Sequence, residues 1–339
     1  MEKAVVIGAG VMGSALAIHL GNNGVEVNLW GTQWDTEILK SMESTEKHSK
    51  LGVDLPKNIN LYYENELEEA FKDTKLVIIA VLSDGMGSTV ELITPYLNKN
   101  HYILSATKGI DHDNLYTMSD VIKNALPESL RDKVAVIKLG GPIIAKELAQ
   151  GKYAEGVLAS KNAEAAKYTR SLFKSARFKV DISEDIIGVD LCAAFKNSYA
   201  ISMGIIESME EDSNNPKAAL MARGTIEMGN IVEAYGGDRI TAAGIAGVGD
   251  YYVTSQGGRN GIFGRHLGEG KTVEEALEAM EGLAVEGYAA TLNGYKFLSK
   301  LEKEGKFNME KDTPLFQEIY NIIYKGKAVK DGINSYWTS

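Results

Sequence analysis

The sequence KAVVIGAGVMG occupies residues 3–13 and places three glycines, Gly8, Gly10 and Gly13, directly after an apolar segment. We expect the apolar residues to form a buried strand and the residues after the glycines to form a helix through about Leu20. In G-x-G-x-x-G the first glycine permits a tight turn, the second lets the backbone approach a pyrophosphate, and the third lets helix and strand pack closely. This strand–turn–helix context predicts a dinucleotide-binding motif, with a purely structural glycine turn as the alternative.

The predicted turn also indicates which residues contact the dinucleotide. A helix N-terminus presents free N–H groups and the positive end of its dipole to phosphate groups. The contacts that we predict at this turn come from Gly8, Gly10, Val11, Met12 and Gly13.

The end of the second predicted strand, 25–30, normally distinguishes the two nicotinamide cofactors. An Asp or Glu there binds the ribose 2′-hydroxyl and rejects a 2′-phosphate. Here Trp30 is followed by Gly31 and Thr32, so that acid is absent, and Asp35 is expected to begin the next helix. Because Gly31 leaves room and Thr32 offers a hydroxyl to a phosphate, we expect NADP to be slightly favoured and NAD to be tolerated. In the alternative interpretation Thr32 only caps a turn.

Apolar segments and helical patterns alternate through the first half of the chain. Segments typical of strands are 75–81, 101–106 and 134–139, followed by two shorter ones near 156–160 and 177–182. Helical stretches such as 85–97 and 115–126 lie between the strands, and Asn162 is a candidate N-cap. This alternation predicts an α/β fold with a Rossmann-type, doubly wound parallel sheet.

The pattern becomes almost entirely helical after about residue 187. The predicted helices cover 189–211, a segment opened by Pro216 that ends near Gly236–Gly237, a segment capped by Thr272 and Glu275, and residues 286–304 and 315–325. We therefore predict a dinucleotide-binding Rossmann domain at 1–187 and an all-α, substrate-binding domain at 188–339.

Composition excludes several classes of function. The 339 residues include 36 Lys and Arg against 46 Asp and Glu, a net charge of −10, which is unsuited to general nucleic-acid binding. The one cysteine, Cys192, excludes a disulfide framework within the chain and fits a reducing cytosol. Five scattered histidines without ligand-like spacing indicate that no metal site is present.

The apolar run at 4–21 resembles a signal peptide or a short membrane span. Its glycines interrupt it at the centre, and Lys3, the basic residue before it, is balanced by Glu2. No later segment approaches the roughly 20 apolar residues that a spanning helix needs. We expect a soluble, cytoplasmic protein without membrane insertion.

Two lysines are candidates for chemistry. Lys108, in ATKG at 106–109, follows the carboxyl end of a strand, where open α/β sheets bind ligands; the alternative is a solvated loop lysine. Lys196 lies among small and apolar residues in a helix, and burial would lower its pKa toward a value useful for acid–base catalysis. Asn197 beside it could hold a substrate hydroxyl or amide. Snorkelling to solvent is the alternative for Lys196.

Nine glycines lie within residues 244–270. Such density in helical surroundings favours an anion site lined by backbone N–H groups. Arg259 and Asn260 lie between these glycines, and a guanidinium beside free N–H groups suits bidentate phosphate binding. Asp250 follows two of the glycines. A flexible surface loop is the alternative.

Eight motifs together resemble those of the NAD(P)-dependent glycerol-3-phosphate dehydrogenases. They are GAGVMG at 8–13, ATKG at 106–109, GPIIAKE at 141–147, AFKN at 194–197, ARGxxEM from Ala222, GxGD at 247–250, RN at 259–260 and VEGY at 285–288. The resemblance covers nearly the whole chain. The order and spacing of the motifs are jointly more specific than any one of them.

The resemblance implies hydride transfer between the nicotinamide and C2, interconverting dihydroxyacetone phosphate and sn-glycerol 3-phosphate for phospholipid synthesis. It implies that Lys196 is the general acid–base, with catalytic contributions from Asp250 and Lys108. The implied substrate contacts are Lys108, Gly141, Asn197, Asp250, Thr254, Gly258, Arg259 and Asn260. The implied cofactor contacts, besides the glycine turn and residues 31–32, are Lys108, Ala145, Arg259, Val285 and Glu286. A homodimer is also expected.

Two positions depart from the family pattern. Ile143 and Gly258 stand where the family commonly has hydroxyl side chains, and Ile143 would make the pocket more apolar. A reductase of another small phosphorylated or carboxylated ketone is therefore a second hypothesis. A third is a dinucleotide-sensing protein without turnover, which would have no use for an acid–base lysine.

Overall fold

The computed structural model describes residues 2–338, which form two compact units. The first unit comprises the residues up to Lys108 together with Tyr116–Ile186. The second comprises Gly109–Leu115 and the residues from Ile187 onward. The first unit contains the β-sheet, and every regular element described in the second is helical.

One eight-stranded sheet lies at the centre of the first unit. Its strands are β1 (Lys3–Ile7), β2 (Glu26–Trp30), β3 (Ile59–Tyr62), β4 (Leu76–Ile79), β5 (Tyr102–Ser105), β6 (Ala135–Gly140), β7 (Ala154–Ala159) and β8 (Phe178–Ser183). The spatial order is β3-β2-β1-β4-β5-β6-β7-β8. All neighbours are parallel except β6 and β7, which are antiparallel. The predicted α/β sheet is confirmed as mostly parallel.

Strand β1 lies in the interior of the sheet because it is apolar on both faces. Its residues from Ala4 to Ile7 are completely buried. Ala4 pairs with Val27 of β2 on one side and with Leu76 of β4 on the other. Strands β2 and β3 follow on one side of β1, and the chain then returns so that β4 pairs with the other side of β1. The carboxyl end of β1 is therefore a topological switch point, where open α/β sheets bind ligands.

Among the described residues, the first unit contains eight α-helices. They are α1 (Val11–Asn22), α2 (Thr36–Thr45), α3 (Leu67–Phe71), α4 (Met86–Ile93), α5 (Met118–Ala125), α6 (Glu128–Arg131), α7 (Ala145–Ala149) and α8 (Ala163–Phe173). The predicted N-cap of α8 is confirmed, because the Asn162 side chain accepts a hydrogen bond of 2.9 Å from the Ala165 amide.

In the described residues, the second unit contains the five α-helices that the sequence predicted and four that it did not. They are α9 (Ile186–Met209), α10 (Asn215–Ala234), α11 (Asp250–Ser255), α12 (Arg259–Gly268), α13 (Val273–Glu278), α14 (Glu286–Lys303), α15 (Met309–Asp312), α16 (Pro314–Lys325) and α17 (Val329–Thr338). Pro216 lies in the first turn of α10, and Thr272 and Glu275 form the predicted capping box of α13. Among residues 2–338, no helix combines the length and the apolar character needed to cross a membrane.

Helices α9 and α12 approach each other closely enough for their backbones to touch. A Cβ built on Gly264 of α12 would lie 2.1 Å from the carbonyl oxygen of Ile201 on α9. A Cβ on Gly204 of α9 would lie 2.0 Å from the carbonyl oxygen of Gly261. Side chains at 204 and 264 are therefore excluded by contact. Part of the glycine density at 244–270 thus serves helix packing, a role that the sequence interpretation did not include.

Candidate active site

The glycine turn between β1 and α1 has the shape expected of a pyrophosphate cradle. Gly8 has φ +104°, and its amide donates to the Trp30 carbonyl at 2.9 Å. A Cβ on Gly13 would lie 1.9 Å from the Gly8 carbonyl oxygen, whereas a Cβ on Gly10 would meet no atom within 4 Å. Gly13 thus allows close packing, and Gly10 borders open space. A turn with these three glycines has the shape that a bound dinucleotide requires.

The start of α1 leaves donors for phosphate groups. Gly10 is its N-cap and supplies no side-chain hydrogen bond, so Val11 and Met12 begin the helix without a competing cap. Early backbone N–H groups of a helix have no carbonyl partner within it. They can therefore bind the phosphates of NAD or NADP, as predicted for this turn.

An acidic side chain lies beside the glycine turn, although no acid directly follows β2. Asp35 is the N-cap residue of α2, yet its carboxylate makes no capping bond. Its Oδ2 accepts hydrogen bonds from the Thr32 amide at 2.9 Å, the Thr32 hydroxyl at 2.8 Å and the Ala9 amide at 3.3 Å. The hydroxyl of Thr32, expected to donate to a phosphate, donates to Asp35 in this structure.

The loop that carries Lys108 is fixed from two sides. The Thr107 hydroxyl donates to the Val81 carbonyl at 2.7 Å, and the Lys138 ammonium donates to the Thr107 carbonyl. Lys138 is fully buried in β6. Lys138 was not predicted as a site residue, although one lysine within the apolar segment VAVIKL was a visible signal. Lys108 itself is partly buried in the first unit.

The segment after β6 contains two predicted contact residues and one departure from the family pattern. Gly141 has φ +119°, and Ala145 is the buried first residue of α7. Ile143 is 7% exposed and belongs to the hydrophobic core of the first unit. A Cβ on Gly156 would lie 3.1 Å from the Ile143 side chain. Ile143 therefore has a packing role, which weakens the reason for expecting an unusual substrate.

Lys196 and Asp250 form a buried ion pair in the second unit. The Lys196 ammonium on α9 lies 3.0 Å from Asp250 Oδ1 on α11, and their side chains are 5% and 2% exposed. The ammonium also donates to the Thr254 hydroxyl one turn further along α11. Lys196 does not snorkel to solvent.

A second group of polar side chains connects α9, α12 and α14. Asn260 Nδ2 donates to Asn197 Oδ1 at 3.0 Å, and Asn260 Oδ1 accepts from the Gly287 amide at 2.8 Å. Asn197 Nδ2 donates to Glu286 at 3.4 Å. This network fixes Asn197, the residue after Lys196 on α9, against α12 and α14.

Arg259 opens α12 behind Gly258, an N-cap without a side chain. Its guanidinium lies 2.8 Å from Glu286, and the two side chains are 45% and 48% exposed. Ion pairs at this exposure contribute little to stability, so an anion can compete for the guanidinium. Val285, the N-cap residue of α14, is buried next to Glu286.

A buried glutamate on α10 was not identified from sequence. Glu227 Oε1 accepts from the Leu315 amide at 2.8 Å, and Oε2 accepts from the Phe316 amide and the Tyr199 hydroxyl, each at 3.0 Å. Burial raises the pKa of Glu227 to about 7, against the lowering effect of these hydrogen bonds. Glu227 thus ties α9 and α10 to the start of α16. Across residues 2–338, no cluster of His, Cys, Asp or Glu has the composition of a metal site.

Comparisons with known proteins agree across the whole chain. Residues 3–166 match the N-terminal family model of NAD-dependent glycerol-3-phosphate dehydrogenase, and residues 185–334 match the C-terminal one. An NADP(+)-dependent glycerol-3-phosphate dehydrogenase of Archaeoglobus fulgidus is 36% identical over 335 residues, covering 96% of each chain. A glycerol-3-phosphate dehydrogenase [NAD(P)+] of Bacillus anthracis is 34% identical, covering 99% of this chain and 95% of that protein.

A solved structure supports the same assignment. The glycerol-3-phosphate dehydrogenase of Coxiella burnetii has a TM-score of 0.86 at 26% identity, covering 100% of this chain and 99% of that one. The predicted fold class and enzyme class are confirmed. The chain belongs to the NAD-dependent glycerol-3-phosphate dehydrogenase family, as its motifs predicted.

Proposed function

We propose that this protein catalyses the NAD(P)-dependent interconversion of dihydroxyacetone phosphate and sn-glycerol 3-phosphate. The observation that carries this assignment is the buried Lys196–Asp250 pair in a chain of this family. Removing two charges from water is costly, and a buried pair is weak evidence for a stabilising role. An ammonium held in this way is suited to proton transfer instead.

Lys196 is proposed as the general acid during reduction. Bound NADH or NADPH would supply the hydride that C2 of the ketone accepts. The Lys196 ammonium then provides the proton that converts the developing alkoxide at the C2 oxygen into a hydroxyl. In the reverse direction neutral Lys196 takes that proton back. Asp250 and Thr254 hold the nitrogen in place through both steps.

The phosphate of the substrate is assigned to the start of α12. Arg259 supplies a planar guanidinium, which binds phosphate oxygens in a bidentate manner. Backbone N–H groups after Gly258 supply further donors, which compensates for the missing hydroxyl at this position. Asn260 and Asn197, held to each other at 3.0 Å, are assigned to substrate hydroxyl and phosphate groups.

Further residues are assigned to substrate and cofactor contacts. Lys108 and Gly141 are assigned to the substrate, and Lys108 also to the cofactor. Ala145, Arg259, Val285 and Glu286 are assigned to the cofactor, together with the glycine turn. We further propose a cytoplasmic homodimer that supplies glycerophospholipid synthesis, and light scattering coupled to size-exclusion chromatography would measure its mass in solution.

Two other functions are distinguished from this one by measuring substrate turnover. A reductase of another small ketone was suggested by Ile143, whose side chain packs in the core. A sensor without turnover would have no use for the buried lysine. Initial rates with dihydroxyacetone phosphate, compared with a panel of phosphorylated and carboxylated ketones, separate these possibilities.

The test compares Lys196→Met with Lys306→Met, which removes an exposed lysine in the same unit. We expect Lys196→Met to lower kcat by roughly 10²–10⁴-fold, the usual contribution of a general acid. NADH or NADPH titration by fluorescence should give an unchanged Kd. Unaltered turnover in Lys196→Met would remove this lysine from the mechanism. Failure of the wild-type protein to reduce dihydroxyacetone phosphate would overturn the function.

A further inference from the structure

We propose that the Glu286 carboxylate competes with the substrate phosphate for Arg259 and Asn197. Through this competition Glu286 sets how strongly the protein distinguishes a phosphorylated ketone from an unphosphorylated one. This role rests on the proposed function, in which Arg259 and Asn197 bind the substrate, and it is separate from the cofactor contact that we assign to Glu286.

Each oxygen of the Glu286 carboxylate contacts a residue that we assign to the substrate. Oε1 accepts a hydrogen bond of 2.8 Å from the Arg259 guanidinium, and Oε2 accepts one of 3.4 Å from Asn197 Nδ2. An N–H group that donates to Glu286 is not free to donate to a phosphate oxygen. Two negative groups beside one guanidinium also repel each other. The carboxylate and a substrate phosphate are therefore competitors for this pair of donors.

The start of α14 holds Glu286 at these donors. The amide of Gly287 donates to the buried side chain of Asn260 at 2.8 Å. A Cβ on Gly287 would lie 2.5 Å from the carbonyl oxygen of Asn197, so the first turn of α14 packs against α9 through main-chain contact. Because the backbone beside Glu286 is fixed in this way, rotation of its side chain is the simplest route by which the carboxylate can leave Arg259.

The ion pair of Glu286 and Arg259 is weak enough for a phosphate to displace. The side chains of Arg259 and Glu286 are 45% and 48% exposed, and water screens ion pairs at such exposure. A phosphate monoester carries more negative charge at neutral pH than a carboxylate does, and it accepts bidentate hydrogen bonds from a guanidinium. The phosphate therefore displaces Glu286, but it binds less tightly than it would without this competitor. An unphosphorylated ketone does not use Arg259 and incurs no such loss.

An orienting role for Glu286 is the other interpretation of this ion pair. A carboxylate that only orients the guanidinium would leave the ligand-binding donors free. Glu286 instead bridges Arg259 and Asn197, the two donors that we assign to the substrate. The two roles differ in sign, because removal of an orienting carboxylate weakens phosphate binding, whereas removal of a competing carboxylate strengthens it.

Titration with inorganic phosphate tests the proposal without cofactor or turnover. Ionic strength is kept constant with chloride, and binding is measured as the rise in the thermal unfolding midpoint. Glu286→Gln should lower the apparent Kd for phosphate by roughly three- to tenfold, the combined effect of losing a screened ion pair and a nearby like charge. The control, Glu207→Gln, removes the acid paired with Arg265 on the same helix α12 and should leave this Kd unchanged.

Two further variants separate the competition from other effects. Glu286→Ala should show at least the same gain in phosphate affinity, since no polar group then remains at the end of this side chain. The double variant Arg259→Ala/Glu286→Gln should bind phosphate no better than Arg259→Ala alone, because the competition takes place at the guanidinium. Circular dichroism confirms that each variant is folded.

Steady-state kinetics provide a second measurement. The ratio of kcat/KM for dihydroxyacetone phosphate to that for dihydroxyacetone should rise in Glu286→Gln by a factor similar to the gain in phosphate affinity. A change in cofactor binding affects both substrates and cancels in this ratio.

Phosphate affinity that is equal or weaker in the folded Glu286 variants would overturn the competition. So would a gain that persists without Arg259, or an unchanged preference for the phosphorylated ketone. These results would leave the proposed function in place as long as the wild-type protein reduces dihydroxyacetone phosphate. Failure of that reduction would overturn the proposed function, whereas the phosphate titrations would still decide the competition at Arg259.

Discussion

Lys196 and Asp250 approach within 3.0 Å although neither side chain is more than 5% exposed. Fifty-four positions separate them in the sequence, and they meet because α11 packs beside the middle of α9. A charge pair with so little access to water depends on both members. Removing one partner leaves the other as an isolated buried charge, which typically costs roughly 3–5 kcal/mol.

The first prediction concerns the coupling of this pair. Asp250→Asn and Lys196→Met should each destabilise the protein, whereas the double variant should lose less than the sum of the two, because neither charge is then left alone. Urea unfolding of the four proteins measures the coupling. Glu207→Gln, which breaks the half-buried pair with Arg265, is the control. Strictly additive losses would contradict a charged pair.

Asp250→Asn should also lower kcat for dihydroxyacetone phosphate while cofactor affinity is retained. The neutral amide attracts the ammonium less strongly than the carboxylate does, so the proton donor is held less firmly in place. Steady-state kinetics with dihydroxyacetone phosphate and a fluorescence titration with NADH or NADPH measure the two quantities, and an unchanged kcat would contradict a role for Asp250.

The second prediction concerns Arg259. Arg259→Ala should raise KM for dihydroxyacetone phosphate by roughly 10–100-fold, as expected for loss of a charged hydrogen bond. The discrimination between dihydroxyacetone phosphate and unphosphorylated dihydroxyacetone should fall equally, because only the phosphate contact is lost. Arg265→Ala, six residues further along α12, is the matched control. A preserved preference for the phosphorylated substrate would exclude Arg259 from phosphate binding.

The third prediction is a pH dependence of stability caused by Glu227. Its pKa is raised to about 7 in the folded protein from an ordinary value of 4.5. The folded state therefore binds a proton that the unfolded state releases between these values. The free energy of unfolding should fall as pH rises from 4.5 through 7, by up to about 3 kcal/mol.

Glu227→Gln removes this titration, although it also loses one acceptor for the α16 amides. The variant should be less stable at low pH but should show a smaller decrease between pH 5 and pH 8. Urea unfolding at both pH values gives the slope for each protein. Glu233→Gln, an exposed acid on the same helix, should retain the wild-type slope. Equal slopes in the wild-type and Glu227→Gln proteins would show that Glu227 does not titrate there.

Local signals in the sequence predicted much of the fold. The helix starts at Asn162 and Thr272 were correct because a cap depends on residues within one turn. Strand β3, INLY at 59–62, was missed because it is short, at the sheet edge and only partly buried, so it lacks the apolar run of the central strands. The grouping of Gly109–Leu115 with the helical unit depends on tertiary packing, which linear sequence does not reveal.

The sequence indicated individual residues of the candidate site, but not which of them contact one another. Lys196 and Asp250 were both identified, whereas their pairing depends on how α9 and α11 pack. Asp35 was placed correctly at the start of α2, yet its carboxylate turns away from that helix toward the glycine turn. Glu227 lies in a segment whose pattern is that of an ordinary helix. For Lys196, Asp35 and Glu227 alike, the surroundings of the charged group depend on contacts with residues that are distant in the sequence.

The glycine contact between α9 and α12 has a consequence for substrate size. Lys196 lies on one of these helices and Arg259 opens the other, and the touching backbones at Gly204 and Gly264 cannot come closer or easily slide apart. Main-chain contact therefore fixes the spacing of the two helices that carry the proposed proton donor and the proposed phosphate-binding residue. If those roles hold, ketones with a longer or shorter carbon chain between carbonyl and phosphate should be poorer substrates.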